Sequence, residues 1–492
     1  MALKLAYEDI AVGADEAATV TASNKESFSN LAAVPFGVEP PAIATAELNG
    51  WGLSHEYEVI DKQPFAYWSK TQSGADCVFS APPTITVDFS AQQTSTGLTF
   101  RFADASMDYC RKMSIAWYQD GAVKSSETYY PKNTFYVVEN VVEAFDRLVI
   151  TFEETSLPNK RVKLEKLMIG VSREIEGDEL LAAKFVHEVD LISDAVPINV
   201  FDADFHNEKE VHFIFQRTQP VEAYSNGELI GVYYIEGSER HGANSYSISC
   251  MDAIGILDLS EYPGNIWINE TPLTTILNDV IGGLFDVDID PAFSASTLKG
   301  YIPDCTRREA LQYVAFALGA VVDTSGSRKI KLYPMPTGTA KEIPAAKTYI
   351  GGKVEIEAPV TEVTVTAYIF FDERPGENDE SVNVNGVEYR YYTETKHAYN
   401  PDIVSTTLPR KIKFDKSYLV NLSNAQALAD NIMAYYMRQE NYNFDFVVDG
   451  QKVGDKAAAF LPWETEARNG NITKMTVKYS GIVAAEADML LE

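Results

Sequence analysis

Apolar and polar residues alternate with a period of two along most of this chain, and the places where that rhythm breaks mark its organisation. Thr84-Ile85-Thr86-Val87-Asp88-Phe89, Leu98-Thr99-Phe100-Arg101-Phe102 and Arg147-Leu148-Val149-Ile150-Thr151-Phe152 each place every second residue on one face. Asp120-Gly121 interrupts the apolar run 115–123 and supplies the two positive φ angles that a type I′ hairpin turn requires. Residues 43–171 therefore predict an all-β unit, most simply a sandwich. A second alternating stretch covers 184–190 and 211–215, and Asn226-Gly227 separates 221–224 from 229–235 as another tight turn. With a further strand at 245–252, residues 172–264 read as a small β domain, a barrel.

The period changes to 3.6 between 265 and 340. Thr271-Pro272 offers a capping hydroxyl before a proline at the first helical position, and Leu273, Ile276, Leu277, Val280, Ile281 and Leu284 make one apolar stripe. Thr306-Arg307-Arg308-Glu309 is a capping box, followed by the stripe Ala310, Leu311, Val314, Ala315 and Leu318 and a stop at Gly319. Ile330-Lys331-Leu332-Tyr333 alternates again, so this segment predicts an α/β insert. Residues 341–492 return to strands, with an acidic loop over 372–380 and a third hairpin at Asn385-Gly386. One helix interrupts them, opened by a capping box over 423–426 and striped by Ala425, Leu428, Ala429, Ile432, Met433 and Tyr436. Residues 1–42 read as an extended arm, and the acidic, glycine-containing stretch 170–178 as a linker. The fold class expected is thus multidomain and mainly β, with a β-sandwich, then two β-barrel domains flanking a small α/β domain.

The chain has 492 residues, 41 Lys plus Arg against 71 Asp plus Glu, and a formal net charge of −30. Such a field repels phosphates, which disfavours sequence-reading of duplex DNA and adhesion to anionic lipid. Cys77, Cys110, Cys250 and Cys305 form no CxxC pair and predict free, mostly buried thiols made in a reducing compartment. The first 16 residues lack a secretory apolar core. The longest apolar run of the helical regions, 314–322, falls far short of a membrane span, so no membrane-spanning segment is expected.

The sequence offers little for catalysis. His55, His187, His206, His212, His241 and His397 are scattered, and the spacing of His206 and His212 fits no helical ligand pair. Asp286, Asp288 and Asp290 resemble the start of a calcium loop, but Pro291 and Thr297 stand where that loop needs Gly and Glu. Gly351-Gly352-Lys353 lacks the first Gly and the final Ser or Thr of a phosphate loop. No nucleophile elbow or His-Glu-x-x-His helix is present, and no catalytic residue, cofactor or metal ligand is assigned. Trp51, Trp68 and Trp117 are the candidate carbohydrate-binding residues of the first β unit, because flat rings on a sandwich surface stack on sugars; the alternative is that they fill its core.

Leu229-Ile230-Gly231-Val232-Tyr233-Tyr234-Ile235, the run 246–257, Gly300-Tyr301-Ile302-Pro303 and the pattern 308–323 resemble tail proteins of phages and prophages of Gram-positive bacteria. The closing pattern from Ser423 through Gly454-Asp455 to Tyr479-Ser480-Gly481 is similar to the end of the same family, the baseplate hub or tail-tip protein. The resemblance covers about 300 residues of structural rather than catalytic motifs. It implies a non-enzymatic virion component, synthesised in the bacterial host cytoplasm. It also implies a homotrimer whose chains each give two barrels to a ring around the tail channel. Its neighbours would be the distal tail or tube ring, the spike or fibre, and the tape measure, with DNA passing the channel without sequence-specific binding. The residues ahead of the first barrel resemble a carbohydrate-binding sandwich, which leaves a second reading: a receptor-binding tail protein whose N-terminal unit holds cell-wall carbohydrate.

Overall fold

The computed structural model describes residues 3–11, 13–38, 66–103, 109–207, 215–371, 380–384, 386–403, 408–415, 417–479 and 483–492. The protein is mainly β and divides into two compact units, Tyr7–Glu174 and Met1–Ala6 with Ile175–Glu492. None of the described helices is long and apolar enough to cross a membrane.

In the first unit seven strands share one hydrogen-bonded network, threaded by two very long strands, Thr84–Phe102 and Phe135–Thr155. The separate alternating runs at 84–89 and 98–102 belong to the same strand, and register shifts between Asp88 and Gly97 bridge them. Gly97 is required at that crossing, since a Cβ there would lie 1.9 Å from the Val138 carbonyl oxygen. Asp120 and Gly121 hold φ of 50° and 80°, the positive angles a type I′ turn requires. Inward positions of the strands, among them Ile85, Val87, Phe100, Ile115, Leu148 and Phe152, fill a continuous apolar core.

The described residues of the expected arm at 1–42 include two paired strands rather than a free extension. Leu3–Ile10 is a strand whose neighbour is Pro220–Ser225, and Ala18–Ala22 pairs antiparallel with Thr84–Phe102. Leu3, Leu5 and Tyr7 alternate with polar residues and are buried. That short period-two signal was masked by the Ala- and Ser-rich composition around it. The expected linker at 170–178 is likewise strand, Gly170–Glu176, with Val171 and Ile175 buried.

In the second unit one sheet runs through both β segments. Its strand order includes Lys353–Ile356, Glu440–Val447, Val483–Leu491, Ala467–Tyr479, Leu180–Glu188, Val200–His206, Ser245–Met251 and Glu228–Arg240. The seam is antiparallel, with Ala183 opposite Tyr479 and Glu188 opposite Lys474. The two segments expected to form barrels are therefore joined by backbone hydrogen bonds. Asn226 and Gly227, at φ of 51° and 84°, close the second hairpin, while Val387–Tyr399 follows Glu380–Val384 across the third, whose Asn385 lies outside the described residues. Most of the strand expected at 211–215 and most of the acidic loop at 372–380 also lie outside them.

Helices Leu273–Ile281 and Arg307–Leu318 form where the 3.6 period predicts. The capping box is complete: Thr306 Oγ1 accepts from the Glu309 N–H at 3.2 Å and Glu309 Oε2 from the Thr306 N–H at 2.9 Å. Gly319 ends the helix at φ 64°. Thr271 does not cap its helix. Pro272 takes the cap position, the Thr271 hydroxyl donates to Asn269, and Leu284 lies exposed beyond the stop at Gly282. The box expected over 423–426 is absent too, because Asn424 takes the cap position and Gln426 donates instead to the His397 carbonyl and Asp430.

The insert does not close at residue 340. Helix Ala425–Tyr436 and strand Glu362–Phe371 bury Leu428, Ile432, Val363 and Val365 in the same core as Leu277, Leu311 and Val314. Within it, Ile330–Pro334 pairs parallel with Val287–Ile289 and antiparallel with Ala320–Asp323. The physical reason is area: two short helices and three short strands leave an apolar face that the later helix covers.

Candidate functional site

The expected sugar-stacking rings do not offer their faces to solvent. Trp117 is 1% exposed and Trp68 3% exposed, while Trp51 lies outside the described residues. On strand Cys110–Gln119 the alternation that turns Met113 and Ile115 inward turns Trp117 inward as well, where it meets the Tyr129 ring at 6.4 Å and 77°. Trp68 has the Phe28 ring edge-on at 5.3 Å and the Lys163 ammonium 5.0 Å from its centroid. Both tryptophans are core residues, which corrects their assignment to carbohydrate contact.

The thiols are free, with Cys77, Cys110 and Cys250 buried and Cys305 half-buried. Burial pushes Cys110 and Cys305 up to about 12, so both are thiols, not thiolates, at neutral pH. Among the described residues no group of three or more His, Cys, Asp and Glu side chains could hold a metal ion. Asp286 forms a surface ion pair with Lys329, and Asp290 caps a short turn by accepting from the Ala292 N–H.

The most organised polar chemistry sits under the seam. His187, on the inner face of Leu180–Glu188, shares a short hydrogen bond between Nε2 and the Tyr233 hydroxyl, and the two rings lie parallel within 5°. Burial drives the imidazole down to about 4, outweighing the opposite pull of Asp323, and raises the Tyr233 phenol well above its ordinary value. At neutral pH both are uncharged, and the imidazole tautomer sets which of the two donates. Phe185 stacks on Phe201 at 4.5 Å and meets Tyr479 edge-on at 5.6 Å, so aromatic packing crosses the seam that the backbone bonds cross.

A second buried network bolts the insert to this sheet. Asp252 caps helix Ala253–Asp258 through bonds from the Ile254 and Gly255 N–H groups, and its other oxygen accepts from the Thr324 hydroxyl at 2.6 Å. Asn199 donates to the same hydroxyl at 3.1 Å and accepts from the Glu188 N–H at 2.8 Å. Asp323, almost fully buried, pairs with Lys331 at 2.5 Å. Burial lifts Asp252 to about 6 against these hydrogen bonds. None of these groups pairs a nucleophile with a solvent-reaching base, so the arrangement is suited to holding elements in register rather than to catalysis. Asp252 was readable in advance as a cap ahead of Ala253-Ile254-Gly255. The partners Asn199, Thr324 and Asp323 carried no local signal.

The opposite face of the same sheet is polar. Lys184, Asp202 and Ser249 stand in one cross-strand row, and Asp204 and Ser247 stand opposite each other with a hydrogen bond of 2.5 Å. On the other side of the seam Glu188 pairs with Lys474 at 2.8 Å, Lys474 stands opposite Asp488, and Asn443 donates to Asp488 at 2.8 Å. Glu486, Thr476, Asp445 and Lys478 complete the rows. Carboxylates outnumber ammonium groups among these residues, Lys474 is the one of the three lysines engaged in an ion pair among the described residues, and the row of Thr476 and Glu486 continues through Val186, Val200 and Met251 to Tyr234, whose ring packs on Phe285. The Glu188–Lys474 pair is over two-fifths exposed on each side and contributes at most about 1 kcal/mol, so the face is built for solvent rather than for stability.

No family model matches the chain, and no curated protein matches it. Among solved structures it is similar to the tail protein from Neisseria meningitidis MC58, at 12% identity over 64% of this chain and 93% of that one, with a TM-score of 0.47. A prophage tail protein from Listeria monocytogenes EGD-e gives 10% identity, 64% and 90% coverage and a TM-score of 0.43. A family 32 CBM from C. perfringens NanJ in complex with galactose gives 10% identity, 34% and 98% coverage and a TM-score of 0.21. At such scores the likeness is one of outline and assigns a role to no residue.

Proposed function

We propose that this chain is a structural hub protein of a phage tail or phage-like injection particle. Three copies form a ring that joins the tail tube to distal spike, fibre or tape-measure components and surrounds the DNA channel. The observation that carries the reading is the single sheet running through both β segments, with an aromatic core on one face and a polar, carboxylate-rich face on the other. Segments 172–264 and 341–492 each supply hub-type strands to it, and the α/β elements between them share a separate core with strand Glu362–Phe371 and helix Ala425–Tyr436. Two tube-like modules per chain allow three chains to meet a six-fold tube without a mismatch of symmetry, since each neighbour then sees six equivalent surfaces. The polar face is the surface assigned to the channel, where carboxylates repel phosphate.

The receptor-binding alternative rests on aromatic residues of the N-terminal unit, and burial of Trp68 and Trp117 removes two of its three candidates. Light scattering coupled to size exclusion tests the hub reading, with a mass of three chains as the expected result, formed alone or on mixing with a purified tube protein. A stable dimer or tetramer, unaltered by the tube protein, contradicts it.

A further inference from the structure

We infer that a cleft in the second unit, between helix Arg307–Leu318 and strand Lys411–Phe414, receives an arginine side chain presented by a partner protein. The cleft has a volume of about 340 Å3. Its floor is apolar and aromatic: Phe316 and Phe414 have ring centroids 5.4 Å apart and cross at 33°. Tyr313 and Tyr436 also line it, both half-buried, and Asp194 and Glu309 stand at its exposed rim.

The geometry sorts the possible occupants. An anion would meet the like charges of Asp194 and Glu309, and an apolar side chain would strip water from those carboxylates without replacing it. A cation with an apolar stem satisfies both parts of the lining, the methylenes lying on the phenylalanines and the charge resting between the carboxylates and the tyrosine faces. Guanidinium fits better than ammonium, because it is planar, stacks on an aromatic ring and can reach two carboxylates at once.

The chain's own cations in and around the cleft are already paired, Lys413 with Asp415 inside the lining itself. Lys413 pairs with Asp415 at 3.0 Å, Arg410 with Glu357 at 3.2 Å and Arg308 with Asp258 at 3.3 Å. Neither Asp194 nor Glu309 forms an ion pair among the described residues, so an incoming cation meets carboxylates that no lysine or arginine of the chain neutralises directly. The rim is also positioned rather than loose. Glu309 is fixed by its bond from the Thr306 N–H at 2.9 Å, and the Gln312 amide donates to the Asp194 carbonyl. Burial, with Asp194 and Asp190 behind it, raises the Tyr436 phenol, which agrees with a negative field at that wall. A chain of net charge −30 would draw a basic partner towards such a site. The inference does not depend on the ring.

The test titrates the full-length protein with N-acetyl-arginine methylamide and, separately, with the neutral citrulline analogue of the same shape, following protein NMR shifts. Saturable binding of the arginine probe in the millimolar range is expected, about tenfold tighter than the citrulline probe. Binding should weaken about tenfold in the double variant D194N/E309Q, in which Gln keeps the capping box, and should be unchanged in E486Q, whose charge lies on the polar sheet face. Three results each overturn the proposal: equal binding of the two probes, no saturation, or an equal loss in E486Q. A thermal melt of each variant separates loss of the site from loss of the fold.

Discussion

His187 carries its imidazole into a site where protonation would leave a charge among Phe185, Phe201 and Tyr233. Its pKa falls from 6.5 to about 4, so the stability it contributes is fully present above pH 6.5 and is lost as pH falls towards 4. Asp252 runs the other way: raised from 3.8 to about 6, it contributes stability below 3.8 that is lost as pH rises through 6. Comparing wild type with H187Q isolates the first effect. The wild type should lose up to about 3 kcal/mol relative to the variant between pH 7 and pH 4, at roughly 1.4 kcal/mol per pKa unit. Urea titrations at those two pH values check this, and a constant difference between the two proteins would show that the imidazole is solvated. In the sequence His187 looked like any of six scattered histidines, because what sets its chemistry is the strand face it occupies and the Tyr233 ring 46 residues away. Trp117 failed as a sugar contact for the same reason, since a period of two fixes which residues share a face but not which face is buried.

At the scale of elements, local signals held where they were self-contained. Asp120-Gly121 and Asn226-Gly227 formed their turns because the positive φ angles are a property of those dipeptides, and Thr306 with Glu309 formed its box because four residues suffice to make it. T306A should therefore cost about 1 kcal/mol, while E309Q, which retains the reciprocal bond, should cost less than half of that. Equilibrium denaturation of both variants decides it, and equal losses would place the cost in side-chain packing rather than in the cap. The signals failed where the tertiary fold competed with them. Ser423 lost its capping role because Asn421 takes its hydroxyl and its backbone N–H into a turn, leaving Asn424 at the helix start. The end of the α/β insert was misplaced because the stripe on Ala425–Tyr436 says only that one face is buried, not against which neighbour. The strand at Leu3–Ile10 was passed over because an eight-residue pattern inside an Ala-rich stretch carries little weight against composition.

For the whole molecule, the question the charge poses is whether its acidity is placed or merely abundant. Abundance alone would keep a large chain soluble and would scatter carboxylates over every face. On the joined sheet they gather with serines, threonine and asparagine on one face, beside Lys184, Lys474 and Lys478, while the other face holds Phe185, Tyr233 and Phe444. A channel wall for DNA is served by an excess of carboxylates over ammonium groups, because each cation not outweighed in this way would release counterions from the duplex and add to the grip. Converting the wall should then convert the behaviour. The purified wild-type protein is expected not to retard duplex DNA on a gel at physiological salt. The variant D202K/D204K/E486K, which adds three cations per chain to that face, is expected to retard it, with binding that falls steeply as salt rises. The same three reversals placed at Glu228, Asp286 and Glu388, away from those rows, control for net charge. If both variants bind DNA alike, the face is no more than solvent-exposed surface, and if the wild type itself binds, the polar face does not line a DNA-conducting channel.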